Sequence, residues 1–372
     1  MSNFLKTEQT NAVQGRQIAF AAAFLLPMGK FLEAPSILAK YASGDLLLPA
    51  FLHLLLQGLI LWAILYVISG SEQTLLERLT ARFGKGMTIL YILYAVYFIF
   101  AAILPLFDME KYIYAAFFDT SPTAYAFTFF FFFSAFLCVK SVQAIARSAD
   151  LCLFLFLLPF CVLMIMALSA TDLSGLLPLF GEKFGHTVSA FKRTSPHFSD
   201  TVLLLPLLLN YKPKKGDTLK ILGGYSLGGI FTLFFIAVFY GIYSSIAGSQ
   251  HYAFSKIGQY FPALSVLGRV DLIFVYLLTI VLLFYTCLPL QYAVDFLSLS
   301  TPIKKIPLAF LLNLGLLFLH LFGNKHYNAF YAVISQKLFF VFLIFGVVFP
   351  LLLLLLPKSK KKEARHASHP TR

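Results

Sequence analysis

Charged residues are scarce in this chain. They make up 12% of the 372 residues, roughly half the share found in soluble domains, whereas 59% of the residues are hydrophobic. Apolar runs of about 18 residues or more recur from end to end, and this is the length that a helix needs to cross a bilayer. The composition predicts an all-α polytopic membrane protein and leaves no room for a large soluble domain.

Cysteines are also few, and the motifs of soluble enzymes are missing. Neither CxxC spacing nor a partnering histidine accompanies the four cysteines, so we expect buried apolar side chains and no metal site. These are Cys138, Cys152, Cys161 and Cys287. GYSLGG at 224–229 is not preceded by a strand, so it indicates small residues that let helices approach closely rather than a nucleophile elbow. We expect no enzymatic activity and no cofactor.

Acidic residues are outnumbered by basic ones, 16 to 29, which gives the chain a net charge of +13. The lysines and arginines lie between the apolar runs, which indicates membrane orientation and contact with anionic lipids rather than nucleic-acid binding. Nineteen of the 29 fall on the side that holds both termini. Both termini are therefore expected in the cytoplasm, with residues 358–372 forming a basic cytoplasmic tail.

Ten membrane spans can be drawn within one transmembrane domain, residues 1–357. They are 17–40 (broken), 46–69, 87–107, 123–140, 149–170, 187–210 (broken), 219–247, 270–297, 306–322 and 331–356. Helices 1–5 thus occupy about 17–170 and helices 6–10 about 187–356. A cleavable signal peptide with Ile18–Leu26 as its apolar core is the competing interpretation of the N-terminus. It is disfavoured because no small-residue cleavage site follows.

The first and sixth spans are interrupted by helix breakers and by charge. Span 1 carries Lys30 and Glu33 between Pro27 and Pro35, and span 6 contains SPHFSDTVLLLP with Asp200. Such paired interruptions at corresponding positions of two halves indicate an inverted repeat with a ligand site near the bilayer midplane. The spacing of Lys30 and Glu33 predicts that they pair with each other. The alternative is that the span 1 segment is an extracellular loop.

A short amphipathic helix is expected between spans 2 and 3. Thr74 and Glu77 have capping-box spacing, and Leu75 and Leu79 belong to an apolar stripe. Arg78 is predicted to face away from that stripe. The segment indicates a helix lying either on the cytoplasmic membrane surface or in a solvated loop.

Several stretches together resemble the spore-germination permeases, the B-subunit type of germinant receptor. PSILAKYASGD precedes span 2, TLLERLTARFGKGMTILYILY leads into span 3, and DLSGLLPLFGEKFG precedes span 6. YFPALSVLGRVDLIFVYLLTIVLLFYTCLPLQ is similar to the region of span 8 in that family. The sequence departs from the family in SDTVLLLP of span 6 and in the charges Lys30 and Glu33.

The resemblance implies the fold of the amino acid–polyamine–organocation superfamily, also called LeuT-like. Ten helices would form a 5+5 inverted repeat with broken helices 1 and 6, and an amino-acid-like ligand would lie between them, closed in by spans 3 and 8. The residues expected to line this site are Met28, Gly29, Lys30, Glu33, Tyr97, His197, Phe198, Ser199, Asp200 and Tyr285. Asp200 would bind the amine of the ligand, and the freed backbone amides of span 1 would bind its carboxylate. Tyr97 would stack against the side chain of the ligand.

Three functions remain open on the sequence. The resemblance implies a germinant-binding subunit of the inner spore membrane that works beside a larger membrane subunit and a lipoprotein and signals or gates ion release. The first alternative is an autonomous amino acid transporter coupled to protons or sodium. The second is a structural scaffold, for which neutralising Lys30 and Asp200 would change only stability.

Overall fold

The computed structural model describes residues 13–69, 73–117, 123–176, 181, 184–259, 271–323, 326, 329, 333 and 339–353. Nearly all of these residues are helical. The helices are α1 Gly15–Lys30, α2 Ala34–Asp45, α3 Leu47–Ser69, α4 Leu75–Phe83, α5 Gly86–Phe117, α6 Thr123–Val139, α7 Val142–Leu168, α8 Phe184–Thr194, α9 Asp200–Leu209, α10 Asp217–Tyr243, α11 Ala253–Gln259, α12 Asp271–Ser300, α13 Lys305–Gly323 and α14 Phe339–Leu352. The predicted basic tail, 358–372, lies outside the described residues.

The helices that cross a bilayer alone by length and composition are α3, α5, α7, α10, α12 and α13. The pair α1–α2 qualifies together as one bent span. The predicted fourth, sixth and tenth spans correspond to the shorter segments α6, α8–α9 and α14. The all-helical polytopic architecture is therefore confirmed, and the count of ten spans stays a prediction.

The predicted break in span 1 is present and has a local cause. After residue 20 the helix α1 widens into a π turn and then narrows into a 3₁₀ turn over Leu26–Lys30, where Pro27 removes a backbone donor. Residues 31–33 form a bend, and α2 resumes with Pro35 in its first turn, where a proline is tolerated. The helix axis bends by 60° between α1 and α2.

The break in span 6 is built in a similar way. Helix α8 passes into a 3₁₀ turn over Ser195–Phe198 that contains Pro196, and Ser199 separates this turn from α9. The backbone amide of Thr201 at the start of α9 bonds to Gln57 Oε1 of α3 at 3.1 Å. A neighbouring helix thus satisfies one of the donors that a helix N-terminus leaves free.

The two broken spans run in opposite senses. Val13, just before α1, forms a parallel bridge with Tyr211, just after α9. The second half of span 1, α2, packs on the first half of span 6, α8, and the two 3₁₀ turns are in contact. The chain therefore enters span 1 and leaves span 6 on the same side, which is the arrangement that an inverted repeat requires.

The remaining helices pack against the broken spans or against one another. Helix α12 packs along α5 and α7, α13 packs on α6, and α10 packs on α1 and α3. The close approach predicted from GYSLGG is confirmed, because a Cβ on Gly224 would lie 2.4 Å from the Ala19 carbonyl oxygen and one on Gly228 2.4 Å from that of Ala22. The four cysteines are free thiols, three of them buried.

Helix α4 has the predicted capping box but not the predicted face for Arg78. The Glu77 amide bonds to Thr74 Oγ1 at 3.2 Å, and the Thr74 amide bonds to Glu77 Oε2 at 3.0 Å. Arg78 is buried, and its Nη1 donates to the Val67 carbonyl oxygen at 2.9 Å. A guanidinium is favoured there because the last carbonyls of a helix, here α3, have no partner within the helix.

Candidate functional site

The centre of the molecule is the meeting point of the two breaks. Gly29 lies in the 3₁₀ turn of span 1, and the ring of Tyr285 from α12 rests directly on its backbone. A Cβ on Gly29 would lie 2.1 Å from Tyr285 Cζ, so the ring fills the space that any larger residue would need. Gly29 and Tyr285, both predicted to line the ligand site, are therefore in direct contact.

A buried ion pair joins the breaks. Lys30 Nζ lies 2.5 Å from Asp200 Oδ1, and the two side chains are 2% and 3% exposed. The ammonium also donates to the Leu26 carbonyl oxygen at 3.2 Å. The second carboxylate oxygen of Asp200 lies 3.2 Å from the Tyr225 hydroxyl. This cation and this anion come from opposite halves of the repeat and neutralise each other away from water.

The predicted pairing of Lys30 with Glu33 is wrong in this conformation. The i,i+3 rule holds on a continuous helix, but residues 31–33 form a bend, so the two side chains point to different neighbours. Glu33 Oε2 lies 3.0 Å from His251 Nδ1, and the Glu33 carbonyl accepts the Ser36 hydroxyl at 2.8 Å. Glu33 thus belongs to the outer rim of the break rather than to the ion pair.

Aromatic rings pack next to the ion pair. The Lys30 ammonium lies 5.4 Å from the ring centroid of Phe198, a distance at which a cation is attracted to the π face. His53 of α3 stacks on Phe198 at 4.7 Å and on Phe191 at 3.7 Å. His53 Nε2 lies 2.8 Å from the Phe191 carbonyl oxygen. The ring of Phe198 is therefore fixed by stacking on His53 and lies next to Lys30, which agrees with its prediction as a site residue.

A small cavity lies beside the breaks. Its volume is about 20 Å³, enough for a water molecule but not for an amino acid. The lining residues come from α5, the span 6 break, α9, α12 and α14: Tyr97, Ala101, Pro105, Pro196, Ser199, Leu203, Tyr285, Pro289 and Phe342. Three predicted site residues, Tyr97, Ser199 and Tyr285, thus line one cavity, and in the observed conformation this cavity is too small for an amino acid.

Two buried polar atoms at this centre lack hydrogen-bond partners among the described residues. They are the Tyr97 hydroxyl and His197 Nε2. Tyr97 is stacked on Phe345 at 4.7 Å, while its hydroxyl lies near Ser199. The His197 ring faces the backbone of Gly29. Buried polar atoms are costly to leave unpaired, so both atoms are candidates for contacts with a ligand or water.

Met28 completes the predicted set. Its side chain is buried in the core, and its carbonyl oxygen accepts the Phe31 amide at 3.2 Å. It shapes the 3₁₀ turn and does not line the cavity.

Sequence reasoning missed Tyr225, Gln57 and His53. Tyr225 bonds to Asp200, Gln57 holds the start of α9, and His53 stacks on Phe198. The signal for Gln57 and His53 was a polar side chain inside an apolar span. Tyr225 gave no comparable signal, because it lies within the GYSLGG stretch that is explained by small residues.

Comparison with known proteins identifies the family of this chain. The family model described as spore germination protein matches residues 23–323. The chain belongs to the spore germination protein family. No curated protein matches the chain. The predicted resemblance is therefore confirmed over both halves of the repeat.

Solved structures agree on the fold. Three mutant forms of the Eremococcus coleocola manganese transporter superpose with a TM-score of 0.58 at 15% sequence identity, covering 95% of this chain and 79% of theirs. At that identity the likeness concerns the fold alone. The chain is a permease-type membrane protein with a LeuT-like fold. Among the described residues there is no group of three or more His, Cys, Asp or Glu side chains arranged to hold a metal ion.

Proposed function

We propose that this protein binds a small zwitterionic, amino-acid-like germinant at the Lys30–Asp200 pair and passes the binding event to partner subunits. One observation carries the proposal. A buried cation and a buried anion from the two broken helices bond to each other, and a small cavity lined by Ser199 and Tyr285 adjoins the break that precedes Asp200.

The ion pair defines the charge of the ligand. A zwitterion brings one cation and one anion, so its carboxylate replaces Asp200 at the Lys30 ammonium while its amine replaces Lys30 at the Asp200 carboxylate. A ligand with one charge leaves one protein ion buried without a counterion, which costs several kcal/mol, of the order of 3–5. Selection for net-neutral ligands with both charges therefore follows from the pair itself.

This assignment differs from the sequence-based expectation in the group that binds the ligand carboxylate. The Lys30 ammonium, rather than freed backbone amides, would bind it, because the pair offers a buried cation and the Phe31 amide of the break already donates to the Met28 carbonyl oxygen. Asp200 keeps the role of binding the amine. The His197 Nε2 and Tyr97 hydroxyl atoms lie close by and supply further polar contacts.

Ligand binding requires movement. The cavity of about 20 Å³ must enlarge, and exchange of the ion pair removes the direct link between the two breaks. The two halves are then free to separate, which provides a change that partner subunits in the same membrane can sense. The proposed partners are a larger membrane subunit and a lipoprotein of the inner spore membrane. Both termini are proposed to be cytoplasmic, and ion release is the proposed output.

Binding is tested on the full chain in lipid nanodiscs by isothermal titration calorimetry. The probes are the standard amino acids, with propionate and ethylamine as analogues that carry only one charge. We expect at least one amino acid to bind and neither analogue to bind. The variant Lys30→Asp/Asp200→Lys keeps an ion pair but exchanges its ends, so it should fold and lose the binding. The absence of binding by any amino acid would contradict the proposal, as would unchanged binding in the exchanged variant.

Germination and transport assays separate the germinant function from its alternative. Deletion of the gene should abolish the response of spores to at least one germinant, and normal germination on every nutrient would exclude this role. Proteoliposomes with an imposed proton gradient test the autonomous proton-coupled transporter. Uptake of an amino acid by the purified chain alone would favour that transporter over a sensing subunit.

A further inference from the structure

The segment Ser244–Gln259 lies across the outer half of span 1. The 3₁₀ turn Ser244–Ser249 packs against α2, and Gly248 approaches the backbone of Lys40 so closely that a Cβ would lie 3.0 Å from Lys40 Cα. The Tyr243 hydroxyl donates to the Lys256 carbonyl oxygen at 2.8 Å, which ties the end of α10 to α11. We call Ser244–Gln259 the strap.

The strap satisfies backbone groups that the break exposes. The Ala253 amide donates to the Leu32 carbonyl oxygen at 3.0 Å, and the Phe254 amide donates to the Phe31 carbonyl oxygen at 3.1 Å. In a continuous helix these carbonyls would accept from residues 35 and 36, but Pro35 has no amide hydrogen, so the Phe31 carbonyl needs a partner from another segment. Their bonds to the strap therefore hold residues 31–33 in the bent conformation.

A histidine on the strap adds a titratable contact to the same break. His251 Nδ1 lies 3.0 Å from Glu33 Oε2, and the His251 side chain is 67% exposed whereas that of Glu33 is 8% exposed. The charged groups that face His251 are Glu33 of the break, Lys40 of α2 and Asp108 of α5. The hydrogen bond to Glu33 raises the pKa of His251, and its partial burial and Lys40 oppose this increase.

The backbone at the contact is strained. Tyr252, between His251 and the first residue of α11, has φ of 58°, a left-handed conformation that residues other than glycine adopt rarely. Such a conformation persists when surrounding contacts hold it. The bonds on either side of Tyr252, from His251 and Ala253, are those contacts.

We propose that His251 is a positioning residue and that the strap is a pH-sensitive clamp on the span 1 break. Protonated His251 holds Glu33, and the strap then keeps residues 31–33 bent. The folded state raises the pKa of His251, so this stabilisation is complete below the unfolded pKa and is lost as the pH rises through the folded pKa. The clamp is tight in mildly acidic solution and loosens as the solution becomes basic.

Hydrogen exchange tests the clamp without any ligand, so its outcome is independent of the proposed germinant function. The purified chain in nanodiscs is labelled at pH 5.5 and at pH 8.5, and the Ala253 and Phe254 amides are followed as protection factors corrected for the intrinsic exchange rate. We expect protection to fall by about 1.5- to 5-fold at the higher pH, the range for a partly exposed ion pair. Equal protection at both pH values would refute the proposal.

Variants of His251 supply the matched controls. His251→Gln removes the titratable contact, so protection should stay at the lower level at both pH values. His251→Lys keeps a positive charge throughout, so protection should stay near the higher level at both. His326→Gln changes an exposed histidine elsewhere in the chain and should retain the pH dependence of the wild type. If His251→Gln also retains that dependence, the proposal is wrong.

Discussion

The buried pair Lys30–Asp200 offers the sharpest test of the site, because the energetic consequences of removing one ion or both are opposite. The change is a double-mutant cycle with Lys30→Met, Asp200→Asn and the two combined. Both replacements keep side-chain size close to the original. The stability of each variant is measured as the free energy of unfolding.

The magnitudes follow from the geometry of the pair. At an effective dielectric constant of about 20, unit charges 2.5 Å apart attract by about 7 kcal/mol. Removal of each ion from water costs several kcal/mol, which offsets most of that attraction. Loss of one partner leaves the other buried without a counterion, at a cost of about 3–5 kcal/mol. Loss of both ions removes the attraction and the desolvation cost together. The unfolding free energy of the double variant should therefore lie within about 1 kcal/mol of the wild-type value or exceed it.

The assay is reversible unfolding in mixed dodecylmaltoside–sodium dodecyl sulfate micelles, followed by circular dichroism. The two single losses together should exceed the loss of the double variant by about 3 kcal/mol or more. Lys220→Met is the matched control, since Lys220 is 64% exposed and lies 3.4 Å from Asp217. This substitution should cost less than about 1 kcal/mol. Additive single losses, or a Lys30→Met loss no larger than that of Lys220→Met, would refute the reasoning.

Two glycine substitutions test close contacts. Gly29→Ala should push the Tyr285 ring into a cavity of only about 20 Å³, so we expect amino acid binding by calorimetry to fall and the unfolding free energy to decrease by about 1–3 kcal/mol; unchanged binding would show that the ring does not rest on Gly29 as described. Gly224→Ala should destabilise the chain by about 1–3 kcal/mol, because its Cβ would meet the Ala19 backbone of α1. Gly223→Ala, where a Cβ meets nothing within 4 Å, should be neutral or stabilise by up to about 1 kcal/mol, and equal losses at both positions would contradict the packing.

The broken spans are the part of the site that could be predicted furthest from sequence. Pro27, Pro35 and Pro196 act through their own missing donors and ring geometry, so the breaks follow from local chemistry. Lys30 and Asp200 could be assigned to the centre because isolated charges inside apolar spans are costly and need a partner or a cavity. The amphipathic α4 and its capping box were equally local.

The partners of these residues could not be predicted in the same way. The spacing of Lys30 and Glu33 suggested a pair, yet the bend at 31–33 separates them, and each bonds to a residue about 170 or more positions away. Arg78 was expected on the outer face of α4, but the end of α3 above it offers an unpaired carbonyl. Contacts between distant segments depend on how the helices pack, and periodicity within one helix carries no information about this.

The sequence by itself determined that the chain spans a membrane with helices, that the first and sixth spans are broken, and that charge lies inside both breaks. Each of these features depends on hydropathy, proline chemistry or the cost of burying an ion, and all three act within a few residues. Only the tertiary structure decided that Lys30 pairs with Asp200 and Glu33 with His251. It also decided that Tyr285 closes over Gly29. The inverted packing of the two halves brings residues from opposite ends of the chain within bonding distance, and no local pattern specifies which of them meet.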